Sequence, residues 1–469
     1  MGGTFEPQPD RDGTIKLDRR ARVGGAVVGV ATFVTDVTGG SPPFRVEAYD
    51  GSSAGPRDAR LTIRITKPEA IARIVTRPGE LGLVRAYVSG DIELDGPIYE
   101  LFELEAPSIR RLLDPALFYR FYSELGPGVL KPPPPPSIEA RPKGALHSRG
   151  RDKEVVSHHY DVSNRFYELF LGPSMTYSCA VFDDPVEPLE VAQASKVDLI
   201  ARKLGLASGM KLLDVGCGWG SMAIHAARHY GCRVVGVTLA EQQQRYATER
   251  AARAGVGDLV EFRLQDFRDV VDGPFDAISS IGMFEHVGRR SMETYVGQLF
   301  GLLAPGGRLL NHAIGRPATR EENPAPRRSR ELVRQIQIAA GMRGPSRVQS
   351  AFMDRYVFPD GELHEVGTVV SMLQTHGFEV RHLESIREHY ALTLRRWVSN
   401  LEANLEEAIE QVGVERARVW RLYMAGSAVG FERNHLQVHQ ILAAKPVAGR
   451  SGLELRERYD RSPGELAPD

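Results

Sequence analysis

A glycine-rich turn directly after an apolar run is the strongest chemical signal in the sequence. The run Leu212 to Val215 contains one carboxylate, Asp214, and the turn 216–220 (GCGWG) follows it at once. Glycines at this spacing let the backbone approach a ligand closely, outside the carboxyl end of a first strand. The spacing differs from the G-x-G-x-x-G of dinucleotide binders, and no P-loop Lys-Ser or Lys-Thr pair follows. A tight strand-to-helix turn without a ligand would give the same local pattern.

Polar and aromatic side chains follow the next two predicted strands. Thr238 lies about 20 residues after the first glycine, where such folds contact a ribose, and Gln243 is nearby. The Asp or Glu usual at that point is missing. The third strand ends in Gln265-Asp266-Phe267, which supplies a carboxylate and an aromatic face suited to an adenine. Together with the glycine turn, these residues predict a class I methyltransferase that binds S-adenosylmethionine.

A second group of side chains could stabilise charge and move protons. Glu285 and His286 directly follow the predicted fourth strand, at the edge where such sheets carry their active sites. Cys179, His312 and Tyr390 could equally be a small buried hydrophobe, a strand-end hydrogen-bonding group and a core aromatic residue. The histidines show no metal-ligand spacing and the cysteines form no C-x-x-C pair, so we expect no metal.

These groups need a sheet whose strand ends lie together. Strand-like and helix-like runs alternate from about residue 150 to 446, which predicts an α/β fold with a mostly parallel sheet and helices on both faces. A turn at Pro305–Gly307 is expected to enter the fifth strand. The predicted strands are Lys211–Val215, Arg233–Val237, Val260–Leu264, Ala277–Ser280, Arg308–Asn311, Phe378–Glu384 and Leu436–Ala443.

A polyproline run, Pro132 to Pro136, is the best domain boundary in the chain. We predict a polar tail over residues 1–20, a small α+β domain over 21–125, a Pro-rich linker over 126–150, the methyltransferase domain over 151–446 and a polar tail over 447–469. Within the small domain we expect a helix over 67–75, flanked by strands over 59–65 and 86–94, where apolar and polar residues alternate.

The overall charge balance excludes one class of protein and conceals a local excess. The 469 residues include 59 Lys and Arg against 60 Asp and Glu, so a globally basic nucleic-acid binder is excluded. The apolar run 23–34 is too short to span a membrane, and no signal-peptide core is present. Residues 316–347 carry eight Arg against three Glu, a net +5. This segment is either a solvated face or a site of attachment to an anionic membrane surface.

Six motifs in order make the prediction specific: 159–164 (HYDVSN), 175–180 (MTYSCA), 214–220 (DVGCGWG), 282–288 (GMFEHVG), 311–315 (NHAIG) and 356–361 (YVFPDG). The set resembles the cyclopropane-fatty-acyl-phospholipid synthase family, which is related to the mycolic-acid methyltransferases. The resemblance implies a Rossmann-like class I methyltransferase that transfers a methyl group from S-adenosylmethionine to the cis double bond of a phospholipid acyl chain.

The same resemblance implies roles for individual residues. Cys179, Glu285, His312, the backbone of Ile314 and Tyr390 would hold a bicarbonate ion that acts as the base. The positions that would bind S-adenosylmethionine are Tyr177, Ser178, Asp214, Gly216, Gly218, Thr238, Leu239, Gln243, Gln265, Asp266, Phe267 and Ile281.

The sequence leaves the product and the partners open. A cyclopropane forms if the transferred methyl group loses the proton, whereas loss of a proton elsewhere leaves a methylene branch that a separate reductase could saturate. Asn311 before His312 resembles the methylene-forming actinobacterial subgroup. The sequence is also compatible with a methyltransferase for a small apolar metabolite and with a non-catalytic lipid carrier. We expect a cytoplasmic protein at the inner membrane face, with phospholipid acyl chains as substrate and no nucleic acid partner; a homodimer stays open.

Overall fold

The computed structural model describes residues 29–38, 42–77, 79–104, 119, 122, 126–140, 144, 147–152, 163–318, 350–455 and 459. The predicted tail over 1–20, the motif residues 159–162, most of the Arg-rich segment 316–347 and most of the tail 447–469 lie outside these residues. The chain divides into two compact units, Met1–Pro134 and Pro135–Asp469.

The first unit is a small α+β domain. In its described part, four strands form a sheet in the order β2-β1-β3-β4, with β1 and β3 parallel. Its core includes Val46, Ile65 and Ile71. The strands are β1 Arg45–Ala48, β2 Ser53–Ala54, β3 Thr62–Ile65 and β4 Ile92–Asp95, and the helices are α1 Val30–Thr38, α2 Glu69–Thr76 and α3 Glu80–Val88, with 3₁₀ turns at Ile98–Glu103 and Pro127–Leu130.

The strand predicted over 86–94 is partly wrong. Ala86 to Val88 form the last turn of α3, and the strand begins only at Ile92. Val84 and Val88, four residues apart, are both buried, which is the spacing of a helix face. The apparent alternation therefore ran across a turn at Gly90, whose φ of 72° separates the helix from the strand.

The second unit holds the larger sheet. Its strands are β5 Lys211–Val215, β6 Arg233–Thr238, β7 Val260–Leu264, β8 Phe275–Ile281, β9 Leu303–Gly315, β10 Glu379–Ser385 and β11 Gln437–Ala444. Its helices are α4 Asn164–Leu171, α5 Leu189–Leu204, α6 Ser221–Tyr230, α7 Glu241–Arg253, α8 Met292–Leu302, α9 Val366–Thr375, α10 Arg387–Ala403, α11 Leu405–Val412 and α12 Val414–Glu432, with 3₁₀ turns at Phe267–Asp269, Phe284–His286 and Arg289–Ser291 and a π-helical turn at Met353–Val357.

The strand order confirms the predicted fold class. Within the described residues the sheet has seven strands in the order β10-β11-β9-β8-β5-β6-β7. Strands β9, β8, β5, β6 and β7 are parallel, and β11 is antiparallel to both neighbours. The predicted turn at Pro305–Gly307 is instead part of β9, because the Gly306 N–H donates to Lys445 O at 2.8 Å and continues the ladder beside β11.

Adjacent residues of the same strands enter two separate cores. Leu212, Leu310 and Leu442 belong to the core that packs against α5, α6 and α7. Leu213, Leu309 and Ile441 belong to the core that packs against α8 and α9. Because side chains alternate across a strand, His312 lies on the α5 face with Leu310, and Asn311 lies on the α8 face with Leu309.

No helix in the described part of the chain is long and apolar enough to cross a membrane.

Candidate active site

A cavity opens at the carboxyl ends of β5, β6, β7 and β8. Parallel strands of this kind end at the same edge, so their following loops converge there. The cavity is lined by every residue that the sequence predicts for cofactor binding: Tyr177, Ser178, Asp214, Gly216, Gly218, Thr238, Leu239, Gln243, Gln265, Asp266, Phe267 and Ile281.

The glycine turn forms the floor of this cavity. Gly216 and Gly218 have φ angles of 74° and 53°, in the left-handed region that side chains disfavour. A Cβ on Gly218 would meet no atom within 4 Å, so its α-carbon faces open space. The turn leads into α6 at Ser221, and this arrangement lets a ligand lie directly against the backbone.

The far end of the cavity suits a nucleoside. The Thr238 hydroxyl donates to Gln243 Oε1 at 2.8 Å, and the side chain of Gln243 is buried. Asp266 accepts from the backbone N–H of Arg268 at 2.9 Å and pairs with its guanidinium, which holds the pKa of the carboxyl below its usual range. Phe267, next to Asp266 in the sequence, also lines the cavity. A polar pair, a fixed carboxylate and an aromatic face therefore fit a ribose and an adenine.

The inner wall of the cavity carries a buried lysine that sequence reasoning missed. Lys196 on α5 is 1% exposed, and its Nζ donates to Ser178 Oγ at 2.9 Å. Burial lowers its pKa to about 8. Asp214 is also buried and accepts from Ser279 Oγ at 2.7 Å; burial raises its pKa to about 6, against the opposing influence of Lys196. Opposite charges at this wall match the two charged ends of an amino acid.

Glu285 lies just beyond the end of β8, and its side chain extends the pairing with β9. Its Oε1 accepts from the Ile314 N–H at 2.6 Å, so the side chain takes the position of the next residue in the β8–β9 ladder. Its Oε2 is buried and has no hydrogen-bond partner among the described residues. Burial raises the pKa of Glu285 to about 7. The Ile314 N–H predicted to hold bicarbonate is thus engaged by Glu285.

His286 lines the cofactor cavity, where burial lowers its pKa to about 4 and keeps the ring neutral. Its ring packs against Phe358 at 5.5 Å between centroids. Glu285 and His286 are adjacent in sequence but have different surroundings. Glu285 bonds to β9, whereas His286 lines the cofactor cavity.

His312, Cys179 and Tyr390 are all buried in the core of the second unit. Burial and the nearby Lys196 and Lys203 lower the pKa of His312 well below its usual value, so the ring is neutral. Burial raises the pKa of the Cys179 thiol, and the positive charge of the nearby Lys196 partly opposes that rise.

Cys179 and Tyr390 meet at the start of α10. Cys179 Sγ approaches Ile386 O at 3.6 Å, and the Tyr390 N–H donates to the same carbonyl at 3.3 Å. The Tyr390 ring packs on Phe431 at 4.7 Å between centroids. Lys196 thus lies within electrostatic reach of Asp214 on the cofactor side and of both Cys179 and His312 on the other side.

The described residues contain no group of three or more His, Cys, Asp or Glu arranged to hold a metal ion. The three cysteines are free thiols.

A signal for Lys196 exists in the sequence. Lys196, Ile200 and Lys203 follow at spacings of four and three, on the same stripe as Val197 and Leu204. A lysine within an apolar helix stripe is unusual enough to mark a buried charge.

A family model described as mycolic acid cyclopropane synthetase matches residues 147–441, which carry the whole of this site. The chain belongs to this family. A probable fatty acid methyltransferase of Mycobacterium tuberculosis is 44% identical over 423 residues, covering 87% of this chain and 92% of that protein. The cyclopropane-fatty-acyl-phospholipid synthase of Escherichia coli is 31% identical over 389 residues, covering 83% of this chain and 89% of that protein.

A solved structure supports the same assignment. The mycolic acid cyclopropane synthase CmaA1, complexed with SAH and CTAB, is 33% identical with a TM-score of 0.53, covering 62% of this chain and 97% of that chain. The predicted family and fold class are confirmed. The member of the family described here is an S-adenosylmethionine-dependent methyltransferase rather than a non-catalytic lipid carrier.

Proposed function

We propose that this methyltransferase alkylates the cis double bond of unsaturated fatty acyl chains in phospholipids and closes a cyclopropane ring. The observation that carries the proposal is the pair Glu285 and His312. Each has a buried polar atom, Oε2 and Nε2, without a partner among the described residues. Such atoms are costly unless a further group binds them during the reaction.

When bound, S-adenosylmethionine supplies the electrophilic methyl group. The chain's own task is to hold a weakly nucleophilic alkene in a dry site and to stabilise the positive charge that follows. An aromatic cluster stands beside the cavity: Tyr177 lies 5.4 Å from Trp397 and 5.7 Å from Trp420 between centroids. Aromatic faces exclude water and attract a developing cation, so this cluster supports an apolar substrate.

We propose that a small anion, bicarbonate, binds these two buried atoms, Glu285 Oε2 and His312 Nε2. A protonated oxygen of bicarbonate could donate to Glu285 Oε2, and His312 Nε2–H could donate to another oxygen. Bicarbonate would supply a base for the final proton removal. Lys196, buried nearby, favours the anion electrostatically.

The test uses the full chain, S-adenosylmethionine and vesicles of phospholipid with a cis monounsaturated acyl chain. We expect new fatty acids that gain one CH₂, with cyclopropane protons in the proton NMR spectrum. Turnover of a small apolar alkene but not of vesicles would favour a soluble metabolite as the substrate. Absence of product with either substrate would overturn the proposal.

Asn311 is the reason to look for a second product, a methylene branch, in the same assay. Its Oδ1 and Nδ2 are buried and without a partner among the described residues, on the α8 face of β9, one residue before His312. The relative that is 44% identical is named a probable fatty acid methyltransferase, a name that does not mention a cyclopropane product. A methylene branch, which a reductase could saturate, would show alkene CH₂ protons instead of ring protons.

We also propose attachment to the inner face of a membrane through the Arg-rich segment 316–347. Its sequence charge of +5 supports this, since each basic residue near an anionic surface contributes about 1 kcal/mol. Sedimentation with vesicles should rise with anionic lipid content and fall with salt. Sedimentation insensitive to both would contradict the proposal.

A further inference from the structure

The α5 face of the larger sheet carries a polar row that the proposed reaction does not yet use. His312 on β9 stands opposite Gln440 on β11, and Gln440 stands opposite Glu384 on β10. The three side chains therefore lie side by side across neighbouring strands. Lys203, 0% exposed on α5, lies over the row.

Two hydrogen bonds from Lys203 orient the row. Its Nζ donates to Glu384 Oε2 and to Gln440 Oε1, the latter at 2.7 Å. An ammonium group can only donate, so the Gln440 amide must turn its oxygen towards Lys203. Arg308 donates to the backbone oxygen of Lys203 at 3.2 Å, which ties the end of α5 to β9.

The Gln440 orientation then decides the state of His312. With Oε1 held by Lys203, the Gln440 Nε2 faces His312 Nδ1 at 3.3 Å. An amide nitrogen can only donate, so Nδ1 must accept and carry no proton. In the neutral ring the proton therefore lies on Nε2, the buried atom without a partner among the described residues.

We propose that Gln440 and Lys203 are positioning residues that fix His312 as a neutral Nε2–H donor towards the reacting group. The inference rests on the proposed function for the identity of that group, but the proton position depends only on this chain. His312 then binds an anion by donation rather than acting as the proton acceptor itself.

The test combines NMR of the full chain labelled with ¹⁵N-histidine and turnover on vesicles. The His312 signals are assigned by their loss in His312→Gln. In the unchanged protein we expect a protonated Nε2 and an unprotonated Nδ1. The isosteric change Gln440→Glu places an acceptor opposite Nδ1, so the proton should move to Nδ1. Turnover should then fall by about 10²-fold, the scale of losing one hydrogen-bond donor at a reacting centre. The KM for S-adenosylmethionine should stay unchanged.

Two further variants keep the test decisive. Lys203→Met removes the orienting donor without adding charge, so it should give a mixture of both His312 tautomers and a smaller loss, even where Gln440→Glu fails to fold. Gln437→Glu makes the matched change on the same strand, outside the row, and should alter neither readout.

The outcomes separate the two proposals. A protonated Nδ1 in the unchanged protein overturns the inference, and so does near-native turnover in both Gln440→Glu and Lys203→Met. The expected tautomer without any product from vesicles would overturn the proposed function and leave the positioning of His312 supported.

Discussion

The two sides of the active site are built differently. On the cofactor side, the stretches 214–220, 238–243 and 265–267 each lie at or directly after the end of a parallel strand. On the reaction side, Glu285, His312 and Cys179 come from separate elements. Their positions depend on long-range contacts, such as those of Glu285 with Ile314 and of Cys179 with Ile386. The cofactor side is thus assembled largely from the ends of neighbouring strands, whereas the reaction side requires contacts between elements far apart in the sequence.

The largest effect should come from Glu285→Gln. The amide oxygen can still accept from the Ile314 N–H, but the amide NH₂ replaces the acceptor atom Oε2. We expect turnover to fall by about 10³-fold, because electrostatic groups at the reacting centre contribute on this scale, while calorimetric affinity for S-adenosylmethionine stays within about twofold. Glu293→Gln, on an exposed turn of α8, is the matched control. Near-native turnover of Glu285→Gln would remove it from the catalytic group.

The same variant should change the pH dependence of stability. The pKa of Glu285 is raised from 4.5 to about 7 in the folded state. Its stabilising contribution is therefore complete below about pH 4.5 and is lost as the pH rises through about 7. Glu285→Gln never ionises, so the difference in unfolding free energy between variant and unchanged protein should shift in the variant's favour by about 3 kcal/mol between acid pH and pH 8. Urea unfolding at pH 5 and pH 8 measures the difference; equal gaps at both pH values would contradict the burial argument.

Lys196→Met should affect both sides of the active site, since Lys196 lies within electrostatic reach of groups on each. Without this cation the pKa of Asp214 should rise beyond about 6, so more of the carboxyl is protonated at pH 7. We expect cofactor affinity to fall about tenfold at pH 7 and to recover partly at pH 8.5. Lys211→Met, at the exposed amino end of the same strand as Asp214, is the control. Affinity that falls equally at both pH values would show that Asp214 does not mediate the effect.

The smallest effect should belong to Gln243→Ala. Loss of the bond between Thr238 and Gln243 should weaken cofactor binding about fivefold to tenfold, the scale of one hydrogen bond. Turnover at saturating cofactor should stay unchanged. The neighbouring Gln242→Ala, which is exposed, should change neither quantity. A fall in saturated turnover would place Gln243 on the reaction side as well.

The same contrast explains what could be predicted from the sequence. Strands β5 to β7 were located within a residue or so, because each couples an apolar run to a recognisable turn. The predicted β9, 308–311, is five residues too short at its start and four at its end. At the start, Gly306 continues the ladder through a backbone bond to Lys445 that no local pattern records.

The reaction side shows the limit of local patterns. Glu285 is predicted from its place directly after the fourth strand, whereas the role of His312 follows from the family resemblance. Each has a buried polar atom without a partner among the described residues. Lys196, Lys203 and Gln440 are absent from the sequence predictions. The two lysines lie in the apolar stripe of α5, which marks a buried charge but does not say which groups that charge contacts. The contacts that compensate a buried charge are a property of the tertiary structure.

Lys196 and Lys203 are seven residues apart on α5, which is close to two full turns. Both therefore face the sheet from one helix, one beside the cofactor cavity and the other above the His312 row. Insertion or deletion of a single residue between them would rotate one by about 100° relative to the other. We therefore expect this stretch to reject length changes that surface loops would accept, even where every side chain is retained.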